Sequence, residues 1–195
     1  VDGAEGGTGA APPEFSNSVG TPLVDGVTLV DDLLTGPGLR GGVKIICSGK
    51  VLSGFSVVRN LALGADACNS ARAFMFALGC VQALKCHTNK CPTGVATQDT
   101  ALTGGLVVED KSARVLNYHC STVQVALEIV GGAGADRPAG LTRDRIMQRK
   151  GGMHAPSYGD LFPPVELGCL LGGTAPTRLQ GVWKWGEKLL AESPS

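Results

Sequence analysis

Three cysteines that lie close together are the residues in this sequence with the clearest chemical potential. Five residues separate Cys80 from Cys86, four separate Cys86 from Cys91, and Pro92 follows directly. Thiolates at this density are suited to binding a metal, and a proline after the last cysteine is typical of ferredoxin-type loops. Three thiolates favour an iron–sulfur cluster, because structural zinc takes four ligands. His87 would supply a fourth ligand, so zinc remains an alternative.

The other four of the seven cysteines lie in less informative places. Cys47 and Cys68 fall in apolar, strand-like segments, and Cys120 falls on a predicted helix. Cysteine in such contexts is most often a small buried hydrophobic residue, so we expect these three to be structural. An odd number of cysteines in a long, core-rich chain argues against a disulfide scaffold and for reduced thiols in a cytoplasmic protein.

Turns rich in small residues, the first two of which contain glycine, form the second group of candidate functional residues. They span residues 6–9, 48–50 and 69–72, each after a possible strand end. The last two are 22 residues apart from Ser48 to Ser70. That spacing suits neighbouring strands of a (β/α)₈ barrel, in which the last two strand-to-helix loops form a phosphate site. Ordinary turn glycines explain any single turn, but the pair predicts phosphate binding.

The elements that must position these turns are short. Strands are predicted at 43–47 and 65–68, and helices follow at 53–63 and 73–84, with Ser53 as a helix cap. A strand, turn and helix therefore recur about every 22 residues. This rhythm is typical of a parallel sheet or barrel.

A second region follows the cysteine-rich segment. Asp110 is predicted to cap a helix. We expect the apolar face of this helix to consist of Val115, Leu116, His119, Val123, Leu127 and Val130. The basic run at 143–150 is predicted to be a short helix with a solvated face.

Composition narrows the function classes. The 195 residues are 43% hydrophobic, which excludes disorder throughout, and the formal net charge is zero. Nucleic-acid binding needs clustered positive charge, so we expect no nucleic-acid partner. The sequence contains no apolar run of the roughly 18 residues that a membrane span needs, and no export signal. It begins at Val1 with no strand ahead of the first glycine turn, so we expect a fragment of a longer fold.

Four stretches of sequence carry a family resemblance. Residues 2–12 read DGAEGGTGAAP and residues 48–54 read SGKVLSG. Residues 62–72 read ALGADACNSAR, and residues 77–99 read ALGCVQALKCHTNKCPTGVATQD. Together they resemble the FMN-binding domain of glutamate synthases, particularly the short FMN-binding glutamate synthase family. The last stretch is highly specific for this family, whereas the glycine turns indicate the family only when they occur together with it.

The resemblance implies an α/β fold with two parts. Residues 1–104 would be the C-terminal part of a (β/α)₈ TIM barrel that carries FMN, including an iron–sulfur loop at 80–98. Residues 105–195 would be a mostly helical C-terminal extension of the same domain. Such a fragment alone is expected to be inactive, because a full barrel needs about 250 residues.

The resemblance also implies cofactors and the residues that hold them. A 3Fe–4S cluster would be held by Cys80, Cys86 and Cys91. Gly6, Gly7 and Thr8 would lie near the flavin or substrate, and the FMN phosphate would be held by Gly49, Lys50, Ser70, Ala71 and Arg72. In that family the cluster passes electrons to FMN, which reduces 2-iminoglutarate, formed from 2-oxoglutarate and ammonia, to glutamate. Ferredoxin or an NADPH-linked subunit is the implied electron donor, and no catalytic residue is assigned.

Two departures from the large glutamate synthases stand beside ligand positions. Those enzymes carry Gly-His-Asp-Gly-Gly-Thr-Gly where this sequence has residues 3–9, and Gly-Phe-Gly-Thr where it has residues 69–72. Two alternative functions remain open from the residues. One is another phosphate-binding barrel oxidoreductase, similar to IMP dehydrogenase, with Cys86 or Cys91 as a nucleophile. The other is a non-catalytic binding module in which zinc stabilises the loop.

Overall fold

The computed structural model describes residues 1–5, 11–149 and 151–192. Two strands are present there, β1 (Ile46–Ser48) and β2 (Ala67–Asn69). The helices are α1 (Pro13–Ser18), α2 (Leu23–Thr35), α3 (Gly54–Ala62), α4 (Arg72–Leu78), α5 (Thr100–Thr103), α6 (Val108–Gly132), α7 (Tyr158–Leu161) and α8 (Thr177–Glu192). Within these ranges, every helix is too short or too polar to cross a bilayer.

A small parallel sheet organises the first half of the chain. β1 and β2 pair in parallel, with Cys47 opposite Cys68. The segment at Asp2 adds a parallel bridge to Ser48, on the other side of β1. The backbone N–H of Gly3 donates to the Ser48 carbonyl at 2.7 Å. Three parallel segments thus lie side by side. Helices α1 and α2 follow the first, α3 follows β1 and α4 follows β2, which confirms the predicted α/β class.

Helix α3 begins and ends where local signals predict. The Ser53 hydroxyl accepts the backbone N–H of Ser56 at 3.3 Å, as an N-cap does. Beyond its end, Gly64 adopts a φ of +115°, in the left-handed region that favours glycine. Buried side chains of α2, α3 and β1 form the core, including Leu23, Val27, Cys47, Val58 and Leu63.

Helix α4 is shorter than the sequence predicts. It ends at Leu78 rather than at residue 84, because Gly79 turns left-handed at a φ of +105° and stops the helical hydrogen bonding. Ala73 is fully buried, and the side chains that follow it in α4 are partly exposed. Cys80 therefore lies outside the helix, at the start of the cysteine-rich loop.

Helix α6 packs through a face that only partly coincides with the predicted one. Val130 is buried in the core as predicted, but Leu116 is 61% exposed and Leu127 is 55% exposed, so much of the predicted apolar stripe faces outward. The packed side is centred on Tyr118 and Ala126 instead. The Tyr118 ring stands edge-on to Phe74 of α4, with ring centroids 5.0 Å apart. Gly54 of α3 lies so close that a Cβ atom there would be 2.7 Å from the Ala126 nitrogen. A helix with two apolar faces does not reveal by its period which of them packs.

The basic run near residue 145 is also different from the prediction. It forms only a short 3₁₀ turn at Arg143–Arg145, and Arg143 is 5% exposed rather than solvated. Its guanidinium lies 2.9 Å from carboxylate oxygens of both Asp31 and Asp32 on α2. Two acidic partners compensate for burying this charge, which a charge run in sequence does not reveal. Lys150, at the end of that run, lies outside the described residues.

Candidate functional site

The turns at 48–50 and 69–72, which are predicted to act together, do lie together. β1 and β2 run in parallel and end at Ser48 and Asn69, so the turns leave the same end of the sheet. The Ser70 hydroxyl donates a hydrogen bond to the Val51 carbonyl at 2.7 Å, which ties the second turn to the first. The carboxyl end of a parallel sheet is where such folds place their ligands.

The first of these turns has an unusual backbone. Gly49 has a φ of +137° and Lys50 a φ of +45°. A Cβ on Gly49 would lie 3.3 Å from both the Gly3 backbone and the Glu5 carboxylate, so the turn passes close to the neighbouring segment. A lysine in the left-handed region is uncommon, and such strain gathers at functional sites. The Lys50 side chain is exposed at the mouth of this turn.

Arg72 supplies the observation that best fits a bound anion. It is the last residue of the second turn and the first residue of α4. Its Nε atom is buried and has no hydrogen-bond partner in the described part of the chain. Nearly all buried polar atoms in proteins are hydrogen-bonded, so an orphaned cationic donor indicates a missing acceptor. An anionic group such as a phosphate is an acceptor that would satisfy it.

The first glycine turn is only partly described. Gly6, Gly7 and Thr8 lie outside the described residues. Glu5, just before them, accepts the backbone N–H of Leu23 with both carboxylate oxygens at 3.0 Å. A carboxylate is favourable at a helix N-terminus, so Glu5 stabilises the start of α2. No local signal in the sequence indicates this role, because Glu5 and Leu23 are 18 residues apart.

Cys91 has the surroundings of a thiolate ligand. Its side chain is buried, and its sulfur is 3.5 Å from the Thr93 hydroxyl. Burial alone would raise the pKa of this thiol. Hydrogen bonds from the Thr93 hydroxyl and from the backbone N–H groups of Ala96, Thr93 and Val95 outweigh that effect and lower the pKa to about 7. The chain thus wraps donors around this sulfur and favours its ionised form.

The loop around Cys80 and Cys86 is also strained. Gln82, Leu84 and Asn89 all have positive φ angles, from 53° to 61°. The backbone N–H of Gln82 points at the Cys80 sulfur at 3.4 Å, and Cys86 begins a 3₁₀ turn.

Asn89 fastens this loop to the segment that follows Cys91. Its side-chain oxygen accepts the backbone N–H of Gln98 at 2.6 Å, and its backbone carbonyl accepts the Thr97 hydroxyl at 2.6 Å. Asparagine tolerates the left-handed conformation better than most residues, which was the one available sequence signal for this role.

The three cysteines are neighbours in one loop but do not form a ready-made metal site. Over residues 1–5, 11–149 and 151–192, no three histidine, cysteine or acidic side chains are grouped closely enough to hold a metal. A cavity of about 440 Å³ lies beside Cys86, lined also by Met75, Asn89, Val95, Ala96, Thr97 and Gln98. The donors around Cys91 fit a ligand thiolate, whereas the sulfur positions do not yet match a cluster.

Comparison with known proteins identifies the family. Residues 1–136 match the family model described as the conserved region in glutamate synthase. The chain belongs to the glutamate synthase family. It is 44% identical over 150 residues to the glutamate synthase large subunit-like protein YerD of Bacillus subtilis, an alignment that covers 77% of this chain and 29% of that protein.

Two further relatives differ in their electron donors. The chain is 38% identical over 148 residues to the archaeal glutamate synthase [NADPH] of Methanocaldococcus jannaschii, covering 75% of this chain and 29% of that protein. It is 39% identical over 102 residues to ferredoxin-dependent glutamate synthase 2 of Synechocystis, covering 52% of this chain and 7% of that protein. The chain thus spans about three-tenths of the first relatives' length.

Proposed function

We propose that this chain forms the phosphate-binding and cysteine-rich part of a flavin-dependent oxidoreductase that makes glutamate from 2-oxoglutarate and ammonia. Its parallel strands would belong to a (β/α)₈ barrel over residues 1–104. The adjacent turns beside the unpartnered, buried Arg72 Nε are the observation that carries the proposal. When bound, FMN would supply hydride transfer and a 3Fe–4S cluster would supply single-electron steps.

The chain's own residues would bind and orient the flavin phosphate. Arg72 and Lys50 would neutralise its negative charge, and Arg72 would gain the acceptor that its Nε lacks. Gly49 and Ala71 are small enough to let the backbone approach, and the Ser70 hydroxyl would keep the two turns in register. Gly6, Gly7 and Thr8 would lie near the flavin or the 2-iminoglutarate substrate.

Cys80, Cys86 and Cys91 would hold the cluster. The lowered pKa of Cys91 supports this role, since a ligand must be a thiolate. The loop would have to draw the three sulfurs together when the metal is inserted. Because related glutamate synthases are named for NADPH or ferredoxin, we propose an electron donor of one of these two kinds.

The cluster is tested on the full-length protein, prepared without oxygen. Iron and flavin are quantified, and glutamate formation is followed with 2-oxoglutarate, ammonia and a reduced donor. Replacing Cys80, Cys86 or Cys91 with Ser should remove iron in each case, whereas Cys120→Ser, at an exposed cysteine of α6, should retain it. Stoichiometric zinc without iron would support the zinc-stabilised module instead. Iron retained with activity lost in Cys86→Ser or Cys91→Ser would indicate a nucleophile.

The phosphate site is tested by Arg72→Gln in the same protein. Removing a charged hydrogen-bond donor costs about 1.5–3 kcal/mol, so FMN should bind roughly ten- to a hundredfold more weakly. Titration of the flavin-free protein with FMN, followed by flavin fluorescence, measures this. Arg137→Gln is the matched control, because the Arg137 side chain is 75% exposed and its ion pair with Asp136 is long, at 3.9 Å. Equal affinity in the Arg72 and Arg137 variants would contradict the assignment.

A further inference from the structure

Cys47 and Cys68 form a close pair of thiols that the proposed function does not use. They occupy paired positions on adjacent parallel strands, so their side chains project from the same face of the sheet. Their sulfur atoms are 3.4 Å apart and hydrogen-bonded, and neither is part of a disulfide. Adjacent strands lie about 4.8 Å apart, within the range of Cα separations that a disulfide bridges. Only a small side-chain adjustment separates this pair from a covalent bond.

The polar groups around the pair favour ionisation of one sulfur. The hydrogen bond from Cys68 lowers the pKa of Cys47, and the same contact raises that of Cys68, so the first proton leaves the pair more easily than the second. Asn60 is fully buried beside both thiols, and its Nδ2 donor has no hydrogen-bond partner among the described residues. A thiolate is an acceptor that would satisfy this donor, and the positive charge of Arg59 acts in the same direction.

A route to the pair exists from one side. Cys47 is fully buried, whereas Cys68 is partly exposed. Cys68 lines a cavity of about 270 Å³ between β2 and the helices α3, α4 and α6, whose other lining residues include Val57, Phe74 and Thr122. A small oxidant can therefore reach the Cys68 sulfur, while Cys47 lies behind it as the second thiol.

We propose that Cys47 and Cys68 are a redox-active dithiol that a hydroperoxide converts into a disulfide between β1 and β2. Cys47 loses one proton, and its thiolate then takes up the proton of Cys68 across the 3.4 Å hydrogen bond. The accessible Cys68 sulfur attacks the peroxide, breaks its O–O bond and becomes a sulfenic acid. Cys47 then attacks that sulfur, and the S–O bond breaks. With hydrogen peroxide, one S–S bond forms and two water molecules leave, so the two sulfurs together give up two electrons. A dithiol reductant reverses the reaction.

The position of the pair gives this bond a structural consequence. Cys47 directly precedes Ser48 of the first turn, and Cys68 lies two residues before Ser70 of the second. A disulfide would fasten the two strands immediately before the turns that the Ser70 hydroxyl already joins. The oxidation itself is independent of whether those turns bind FMN.

Peptide mapping of the full-length protein tests the pair directly. The protein is treated with hydrogen peroxide, its remaining thiols are alkylated, and it is digested with trypsin without reduction. Residues 45–50 and 60–72 are separate tryptic peptides with one cysteine each. We expect a cross-linked pair of these peptides, lighter than their sum by two hydrogens, and its loss after treatment with dithiothreitol.

Variants distinguish this pair from the other cysteines. Cys68→Ser should abolish the cross-link, and Cys120→Ser should leave it unchanged, because Cys120 lies exposed on α6. The cross-link is measured in the wild-type protein, so the test remains valid even if a variant such as Cys47→Ser fails to fold. If both peptides stay singly alkylated after peroxide, or if Cys68 is recovered only as sulfinic acid or joined to another cysteine, the proposal is wrong. The measured quantity is a peptide mass, so the test of the dithiol is valid even if the protein binds no flavin.

Discussion

At the scale of single residues, the two candidate sites of this chain depend on hydrogen-bond donors that the fold buries. The Cys91 sulfur is buried, yet the Thr93 hydroxyl and three backbone N–H groups converge on it. Arg72 presents the reverse case, a buried donor without an acceptor. Both sites favour a negative charge: the Cys91 thiolate in one case, and in the other the bound anion that we propose beside Arg72.

A pH titration of the cluster-free protein checks the Cys91 environment. Burial opposes ionisation, but the surrounding donors outweigh it and bring the pKa to about 7. The thiol is thus protonated below pH 7 and ionised above it, and the stability that the thiolate adds is lost as the pH falls through 7. The ultraviolet thiolate absorbance, taken as the difference between wild type and Cys91→Ser, should have its midpoint near pH 7.

The Thr93 hydroxyl is one of the groups that lower the pKa of Cys91, and its removal tests this assignment. Thr93→Val removes one donor and should move the midpoint upward, towards the value of about 8.5 for an ordinary thiol. Thr88→Val serves as a matched change, because the Thr88 hydroxyl donates to the Lys85 carbonyl rather than to a sulfur. A wild-type midpoint that already lies near 8.5 would contradict the assigned environment.

At the scale of helices and strands, close approach between α3 and α6 holds the C-terminal region against the sheet. Gly54 is the contact point, where the α6 backbone leaves no room for a methyl group. Tyr118 adds a second contact, because its hydroxyl donates to the Leu52 carbonyl at 3.1 Å, just ahead of α3. Helix α6 therefore supports the segment that links the turn at 48–50 to α3.

Gly54→Ala should destabilise this contact. A Cβ would lie 2.7 Å from the Ala126 nitrogen and 3.0 Å from the Thr122 carbonyl oxygen, so the helices must separate. Overpacking of this kind costs about 1–3 kcal/mol, which exceeds the gain in helix propensity. Gly131→Ala in α6, where a Cβ meets nothing within 4 Å, should instead raise stability by about 0.5–1 kcal/mol. Thermal unfolding that moves in the same direction for both variants would refute the close contact.

Local signals in the sequence predict local structure well here. Ser53 caps α3 as expected, and Gly64 follows its end, because both signals act within one helical turn. The two strands appear within a few residues of their predicted places, and their turns meet as the parallel arrangement requires. The cysteine spacing identified the loop, although it did not determine how far apart the folded chain holds the sulfurs.

Features that depend on distant partners escaped the sequence analysis. The packed face of α6 is chosen by α3 and α4, while its own pattern is equally apolar at Leu116 and Leu127. Arg143 belongs to a run of charges, but its burial depends on carboxylates more than a hundred residues earlier. The dithiol of Cys47 and Cys68 likewise exists only because the strand register pairs them.

At the scale of the whole molecule, an ion-pair network joins segments from both ends of the chain. Asp32 is almost fully buried and accepts hydrogen bonds from Arg143 at 2.9 Å and from Arg178 of α8 at 2.7 Å. Asp31 beside it pairs with Arg40 at 2.7 Å, and Arg40 reaches Asp66 at 2.8 Å, just before β2. The network ties α2, α8 and the base of the sheet together.

Arg143→Met should weaken this assembly, since it leaves the buried Asp32 with fewer partners. Breaking a buried ion pair costs about 3–5 kcal/mol, and Arg178 retains part of the interaction, so we expect about 3 kcal/mol. Hydrogen exchange of α2 peptides in the full-length protein measures the loss as a lower free energy of opening. Lys188→Met, which removes an exposed pair with Glu192 at 3.7 Å, should change it by less than about 0.5 kcal/mol. Similar values for both variants would contradict a supporting role for the network.

The bond from the Ser70 hydroxyl to the Val51 carbonyl has a practical consequence for protein engineering. It joins residues 48–51 and 69–72, so a change in one turn affects the other. A chimera that imports only the Gly-Phe-Gly-Thr version of the second turn would lose the serine and leave the Val51 oxygen without its donor. Such a chimera should therefore keep Ser70, because the phenylalanine at that position of the imported turn has no hydroxyl with which to bridge the two turns.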